Sequence, residues 1–212
     1  MKNILITGCS SGIGYCCAKG LKDRGYRVIA SARAPEDVSR LKREGFDTLL
    51  LDVSDSSSIQ QAVIDIESLC NGALYAVFNN GAYGQTGAVE DLNRSTLEKQ
   101  FATNVFGWIE LTNSLIPILR QQPSARIIFN SSVLGLIALP YRGAYNASKF
   151  AIEGFADTLR LELHPSNVEV SLIEPGPVES KFRQNALASL KNNVDIKNSV
   201  HKFKYQKQIA RM

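Results

Sequence analysis

Short, almost continuously apolar runs alternate with longer segments of helical periodicity along the chain, and this alternation limits the possible folds most. The apolar runs predict six strands, at residues 3–7, 27–32, 47–52, 74–79, 126–131 and 168–174. The helical patterns cover residues 12–24, 35–44, 56–69, 95–119 and 145–164. Strands this apolar are buried on both faces, as in parallel sheets. The pattern therefore predicts an α/β fold, with three layers around a doubly wound parallel sheet of six strands.

Several local signals refine this prediction. Ser95 and Glu98 predict a capping box at the start of the fourth helix. The length of 212 residues allows one substantial hydrophobic core. Ligands of doubly wound sheets bind at the carboxyl ends of the strands, and the glycine-rich and polar motifs of this sequence follow predicted strands. We therefore expect one site at that edge.

The charge of the chain is unevenly distributed. Of the net charge of +4, residues 181–212 contribute +7 and residues 1–180 contribute −3. A nucleic-acid-binding domain normally carries its basic surface on the folded body, so this distribution disfavours nucleic acid as a partner. A solvated basic tail is the simpler interpretation. Retention on heparin or on anionic vesicles would favour the alternative, a nucleic-acid or membrane-surface protein.

The sequence offers neither a membrane span nor a secretion signal. Its N-terminal apolar run is too short for a signal peptide, and no later stretch approaches the length of a spanning helix. Cys9, Cys16, Cys17 and Cys70 form no CxxC pair and have no histidine-rich surroundings that could complete a metal site. We therefore expect a cytoplasmic protein with reduced thiols, no integral membrane segment and no metal.

A glycine-rich turn follows the first strand and opens the first helix. Gly8 allows the tight turn, Gly12 allows the backbone to approach a pyrophosphate, and Gly14 lets the helix pack close to the sheet. Free N–H groups at the helix N-terminus attract the anion. The turn favours dinucleotide binding on a Rossmann-type domain, with a ligand-free turn as the alternative. The candidate contacts are Gly8, Ser10, Ser11, Gly12, Ile13 and Gly14.

The spacing of this turn, TGxxxGxG from Thr7 to Gly14, resembles that of the short-chain dehydrogenase/reductase family. Arg33 ends the second strand, where an acidic residue would bind the ribose hydroxyls of NAD. A guanidinium there can instead form paired hydrogen bonds with a 2′-phosphate, which favours NADP. The alternative is that Arg33 is a solvated loop residue.

Other parts of the chain resemble cofactor-contacting segments of the family. The resemblance implies an adenine contact from Asp52 and Val53, and it implies cofactor contacts from Asn79 and Gly81, within a variant of the family's Asn-Asn-Ala-Gly. The last two residues of that motif are in reverse order here. The alternative is that these Asn and Gly residues only form a turn at the end of the strand. The segment that follows the sixth strand resembles the family's nicotinamide-flanking segment, and the residues that it contributes are Pro175, Val178 and Ser180.

Tyr145 and Lys149 are four residues apart on a predicted helix, so they share one face. A tyrosine with an ordinary pKa near 10 must fall by about three units to act as a base at neutral pH. An ammonium about 4 Å away supplies roughly the required 4 kcal/mol. An ordinary helix-surface pair is the alternative. The resemblance implies that Tyr145 is the catalytic acid/base, and that Tyr145 and Lys149 also contact the cofactor.

Two more residues complete the family's catalytic set by resemblance. Ser132 lies thirteen residues before Tyr145, at the family's spacing for the substrate-polarising serine. Ser131 competes with it, because neighbours on a strand point to opposite faces. Asn104 matches the residue that holds a water next to the lysine in the family. A helix kink or a satisfied core amide explains Asn104 equally well.

The resemblance covers residues 1–180 and implies an NADP(H)-dependent oxidoreductase that interconverts an alcohol and a ketone or aldehyde. The sequence looks most similar to the hydroxysteroid and retinol dehydrogenase branch. The apolar segment 133–140 suggests an apolar substrate, although a buried loop would have the same composition. A non-catalytic module that senses NADP is the alternative function.

The family also implies a homodimer, formed through the helices predicted at 95–119 and 145–164. Residues 181–212 predict a basic helical segment that closes over the substrate. They contain no apolar run that could form a seventh strand, so we expect residues 1–180 to be the NADP-binding and catalytic domain and 181–212 to be a truncated lid segment.

Overall fold

A computed structural model describes residues 1–210 of the chain. The strands are β1 (Asn3–Ile6), β2 (Arg27–Ala32), β3 (Asp47–Leu50), β4 (Leu74–Asn79), β5 (Ala125–Asn130) and β6 (Val168–Ile173). The helices are α1 (Gly12–Asp23), α2 (Pro35–Arg43), α3 (Ser56–Cys70), α4 (Arg94–Phe101), α5 (Gly107–Arg120), α6 (Gly143–Leu163), α7 (Phe182–Asn193) and α8 (Lys202–Ile209). A π-helical turn, Ala102–Phe106, joins α4 to α5.

The strands form one parallel sheet in the order β3-β2-β1-β4-β5-β6. One face packs against α3, α5 and α6, and its core includes Leu5, Val77 and Ile127. The other face packs against α1 and α2. The predicted α/β class with three layers and six parallel strands is confirmed. The sheet order reverses between β1 and β4, and this switch point is where ligands of such sheets bind.

The long helix predicted over 95–119 is not continuous. It starts at Arg94, is distorted at Ala102–Phe106 and resumes at Gly107. A β-carbon on Gly107 would lie 1.6 Å from the carbonyl oxygen of Val53, so the backbones approach too closely for any side chain there. Periodicity alone does not distinguish an α-helix from one with a single π-helical turn.

The capping box predicted from Ser95 and Glu98 is wrong. Asn93 caps α4 instead, and its Oδ1 accepts a hydrogen bond of 2.9 Å from the backbone N–H of Thr96. Ser95 lies inside the helix and donates its hydroxyl to the same Asn93 oxygen. Asparagine is as good an N-cap as serine, so either residue could have begun the helix.

Residues after β6 fold back as helices and anchor the loop between β4 and α4. Leu190 and Val194 of this segment pack in a small core with Leu92 and Ala144. The hydroxyl of the fully buried Tyr205, in α8, accepts a 2.7 Å hydrogen bond from the backbone N–H of Ala88. Between residues 1 and 210 the sheet has six strands, with β6 at one edge.

No helix within the described residues is both long and apolar enough to cross a membrane. The same residues contain no group of three or more His, Cys, Asp or Glu side chains that could hold a metal ion. All four cysteines are free, and two of them, Cys9 and Cys70, are buried.

Candidate active site

A cavity of about 420 Å³ lies at the carboxyl ends of the central strands, beside the switch point of the sheet. Most of the site residues predicted from the sequence line it, and these are Gly8, Ser10, Ser11, Gly12, Ile13, Gly81, Ser132, Tyr145, Lys149, Pro175, Val178 and Ser180. The predicted residues outside its lining are Gly14, Arg33, Asp52, Val53, Asn79 and Asn104. Residues more than a hundred positions apart in the sequence thus share one cavity.

The glycine-rich turn has the backbone geometry of a close-approach site. Gly8 and Gly12 have φ angles of +71° and +61°, which favour glycine. A β-carbon on Gly14 would lie 2.5 Å from the carbonyl oxygen of Gly8, so the helix can approach the turn only with glycine there. Ser11, the N-cap of α1, makes no side-chain capping bond. The N–H groups of the first helical turn are therefore available to an anion, as a pyrophosphate requires.

The two asparagines of the motif after β4 have different surroundings. Asn79 is fully buried and donates its side-chain N–H to Thr112 of α5 at 2.9 Å. Asn80 lines the cavity instead, and its amide donates to the carbonyl oxygens of Thr7 and Gly8 at 2.8 and 3.2 Å. Asn80 thus ties the glycine-rich turn to the end of β4, and a cofactor contact from Asn79 stays a prediction.

The residues predicted to contact the adenosine half lie along the same edge of the sheet. Arg33 directly follows β2 and is exposed. Asp52 lies beyond the end of β3, and its carboxylate accepts hydrogen bonds of 2.9 and 2.7 Å from the backbone and hydroxyl of Ser54. Val53 is buried in the core. Arg33 and Asp52 remain accessible, whereas Val53 could contribute only its backbone.

The side chains of Ser132 and Tyr145 both line the cavity, and the Ser132 hydroxyl lies near enough to that of Tyr145 to act on its pKa. Both residues are more than nine-tenths buried. The side chain of Ser131 lies next to the carboxyl group of Glu153 instead. Of the two serines that the sequence left open, Ser132 is thus the one that acts on the pKa of Tyr145.

Lys149 is fully buried, and its ammonium lies between Asn130 and Trp108. Its Nζ donates to the carbonyl oxygen of Asn130 at 2.7 Å, 4.3 Å from the centroid of the Trp108 ring. The Tyr145 ring centroid is 5.6 Å away. Burial lowers the pKa of the Lys149 ammonium to about 7, and the charge of Glu153 acts in the opposite direction.

The pKa of Tyr145 shifts opposite to the expected direction. Burial raises the pKa of its hydroxyl, while the hydrogen bond with Ser132 and the charge of Arg142 act to lower it. The prediction from spacing considered the attraction of one ammonium and neglected the cost of burying a phenolate. Tyr145 is therefore protonated at neutral pH, in the form that can donate a proton.

Asn104 is a fully buried amide within the π-helical turn. Its Nδ2 donates to the carbonyl oxygen of Tyr83 at 2.9 Å and to the hydroxyl of Ser148 at 3.2 Å, and its Oδ1 accepts from the N–H of Tyr83. These bonds connect the loop after β4 to α6. Both alternatives considered for Asn104, a helix distortion and a satisfied core amide, are present.

Phe182, from the segment predicted to close over the substrate, and Arg142, which the sequence did not single out, also line the cavity. The ring of Phe182, at the start of α7, meets that of Tyr145 edge to face, with 5.4 Å between centroids. A β-carbon on Gly84 would lie 2.7 Å from the Phe182 ring, so glycine makes room for it. Arg142 precedes Tyr145 by one helical turn. The only sequence signal for a role of Arg142 is its position three residues before Tyr145.

The geometry describes a Rossmann-type protein with a dinucleotide-type turn and a buried serine–tyrosine pair. Residues 2–191 match the family model described as short chain dehydrogenase. The uncharacterized oxidoreductase YbbO of Escherichia coli K12 is 44% identical over 184 residues, covering 87% of this chain and 68% of that protein. The 3-ketodihydrosphingosine reductase of Bacteroides thetaiotaomicron is 37% identical over 183 residues, covering 86% and 66%.

Among solved structures, a short-chain dehydrogenase from Streptomyces avermitilis is similar, with a TM-score of 0.80 and 31% identity over 84% of this chain and 66% of that one. The chain therefore belongs to the short-chain dehydrogenase/reductase family and is an oxidoreductase. These relatives do not single out the hydroxysteroid and retinol dehydrogenase branch.

Proposed function

We propose that the chain is an NADP(H)-dependent carbonyl reductase or alcohol dehydrogenase with Tyr145 as its catalytic acid. The observation that carries the proposal is that Tyr145 and Ser132, both more than nine-tenths buried, line the same cavity as the glycine-rich turn. A tyrosine that stays protonated at neutral pH is suited to protonating a carbonyl oxygen, so we describe the reaction in the direction of reduction.

The residues divide into a cofactor half and a reacting half. NADPH would supply the hydride. The N–H groups after Ser11 and the guanidinium of Arg33 would bind its phosphates. Ser132 would donate a hydrogen bond to the carbonyl oxygen as it becomes an alkoxide, and Tyr145 would donate the proton. Lys149 lies behind Tyr145, on the carbonyl of Asn130, where its ammonium can stabilise a tyrosinate once the proton has left.

The experiment combines NADPH binding with turnover on a panel of steroid, retinoid, aliphatic aldehyde and keto substrates. We expect NADPH fluorescence to report binding and NADPH oxidation to depend on one class of carbonyl compound. Tight binding without oxidation on any substrate would favour the alternative, an NADP-sensing module. The free thiols of the chain are consistent with a reducing, cytoplasmic location, which we also propose.

Replacement of Arg33 by Asp tests the coenzyme preference. We expect the ratio of kcat/KM for NADPH to that for NADH to fall by about 10- to 100-fold, because a group that attracts the 2′-phosphate becomes one that repels it. The matched control is Arg24→Asp, which changes the net charge equally on an exposed site at the end of α1. An unchanged ratio in Arg33→Asp would make Arg33 a bystander.

We also propose a homodimer. Phe106 before α5 and Phe150, Phe155 and Leu161 of α6 expose between 46% and 77% of their surface. Such apolar exposure on two neighbouring helices is typical of an interface. Other apolar residues of these helices lie in the core, including Val105, Trp108 and Leu163.

Sedimentation at micromolar concentration checks this proposal. We expect the wild type to sediment as a dimer and the double variant Phe150→Glu, Phe155→Glu as a folded monomer, because charges in the interface oppose association. Ile64→Glu, on the exposed face of α3, is the control and should remain dimeric. A monomeric wild type would contradict the proposal.

A further inference from the structure

Arg142 lies on the wall of the cavity beside the residues proposed for proton transfer. It is the N-cap of α6, three residues before Tyr145, so the two residues are neighbours on one side of the helix. Its side chain is partly buried, and one guanidinium N–H donates to the hydroxyl of the buried Thr86 at 2.6 Å. A guanidinium has five N–H donors, so further donors are available on the cavity side.

The charged side chains that line the cavity are all of one sign. The side chains that line it, all of them among residues 1–210, include three cations, Arg142, Lys149 and Arg183, and no Asp or Glu. Neither arginine forms an ion pair anywhere in the described part of the chain. Burial and the charge of Arg183 lower the pKa of Arg142. An anion bound between them would relieve this repulsion.

The cofactor phosphates are proposed to bind elsewhere. The glycine-rich turn follows β1 and Arg33 follows β2, whereas Arg142 precedes α6, after β5. The wall around Arg142 also presents apolar side chains, Leu134, Leu139 and Phe182. A ligand that satisfies both features has an anionic group and an apolar part.

We propose that the substrate is a carbonyl compound that carries a carboxylate within a few bonds of its reacting carbonyl, and that Arg142 binds this carboxylate. The inference rests on the proposed function, and it replaces the purely apolar substrate suggested by segment 133–140. A carboxylate suits the site, because a guanidinium fork matches its two oxygens and one partly buried arginine balances its single charge. Arg183, on the exposed side of α7, adds a second positive charge.

The test compares two non-reacting probes, octanoate and octanamide, which have the same chain and differ in charge. Their binding to the protein saturated with NADPH is measured by the change in cofactor fluorescence. We expect octanoate to bind at least about tenfold more tightly, since hydrogen bonds to charged groups are worth that much or more. Octyl phosphate, as a third probe, should bind less tightly than octanoate.

Variants separate the charge of Arg142 from its contact with Thr86. Arg142→Gln should abolish the preference for octanoate and leave the NADPH dissociation constant within about twofold. Thr86→Val removes the contact and keeps the charge, so it should keep the preference. Arg94→Gln, at an exposed arginine of α4, is the control. Thermal melting establishes that each variant is folded.

A kinetic experiment compares two substrates, 3-oxooctanoate and its methyl ester. We expect Arg142→Gln to raise the KM for the acid at least about tenfold and to change the KM for the ester by less than twofold. Equal binding of octanoate and octanamide by the wild type, or an unchanged preference in folded Arg142→Gln, would overturn the inference. Tighter binding of octyl phosphate would overturn the assignment to a carboxylate. The binding arm requires no turnover, so its result is independent of whether the chain reduces any carbonyl.

Discussion

Replacement of Tyr145 by Phe is expected to lower kcat by at least about 1,000-fold while leaving the NADPH dissociation constant within a few-fold. The substitution removes one hydroxyl from a side chain that is 8% exposed and keeps its ring against Phe182. Only the proton donor is lost, and general acid catalysis typically contributes 10²–10⁴-fold. The measurement is steady-state NADPH oxidation on the best substrate of the panel, together with a fluorescence titration of NADPH.

Tyr26→Phe provides the control for this experiment, because Tyr26 stacks on Tyr75 and lies away from the cavity. It should retain wild-type kcat and KM. If Tyr145→Phe keeps more than about a tenth of the wild-type kcat, the proton must come from another group, and the proposed role of Tyr145 is wrong.

Replacement of Lys149 by Met is expected to stabilise the fold and to remove activity. Lys149 is fully buried, and burial lowers the pKa of its ammonium from 10.5 to about 7. Each pKa unit corresponds to 1.36 kcal/mol, so keeping this ammonium in the folded protein below pH 7 costs on the order of 5 kcal/mol. Methionine has a similar shape and no charge, although it loses the hydrogen bond to Asn130, worth about 1 kcal/mol. We therefore expect a net gain of about 4 kcal/mol near pH 6.

The pH dependence of this gain has a definite sign. Below pH 7 the amine is protonated in both folded and unfolded chains, and the full cost of burial applies. Between pH 7 and 10.5 the folded protein releases the proton and the unfolded chain keeps it, so the cost diminishes as the pH rises. The advantage of Lys149→Met in urea unfolding should therefore be larger at pH 6 than at pH 9.

Lys42→Met, at an exposed lysine of α2, is the control and should change the free energy of unfolding by less than about 0.5 kcal/mol at either pH. A Lys149→Met protein that is less stable than the wild type at pH 6 would show that the buried ammonium is compensated by its surroundings. Unchanged kcat would show that Lys149 has no part in the reaction.

The sheet could be predicted from the sequence because its strands are covered on both faces, and burial on two faces leaves almost no polar residues in the runs. The turn from Gly8 to Gly14 could also be predicted, since only glycine meets its steric requirements. Both signals are local: the backbone conformation and the burial of one segment determine which residues it can contain.

The rest of the site depends on features that spacing does not contain. Whether Asn79 or Asn80 faces the cavity depends on where β4 ends, and a shift of one residue reverses the face. The pKa of Tyr145 depends on how deeply it is buried, and the contact with Phe182 comes from a helix that the chain adds after its last strand. The carboxylate-binding role proposed for Arg142 depends on the absence of acidic side chains among the described residues that line the cavity, which the sequence does not show.

The two sides of the cavity are supported by different parts of the chain. The turn at Gly8 is fixed against Gly81 by the central strands, so it is as rigid as the sheet. Arg142 instead bridges the backbone at Gly87, next to Ala88, whose N–H is held by Tyr205 near the far end of the chain. Substitutions in α7 and α8 can therefore reshape the wall around Arg142 while the glycine-rich turn stays fixed. Related proteins could therefore change their substrate at the Arg142 wall while the glycine-rich turn keeps its geometry.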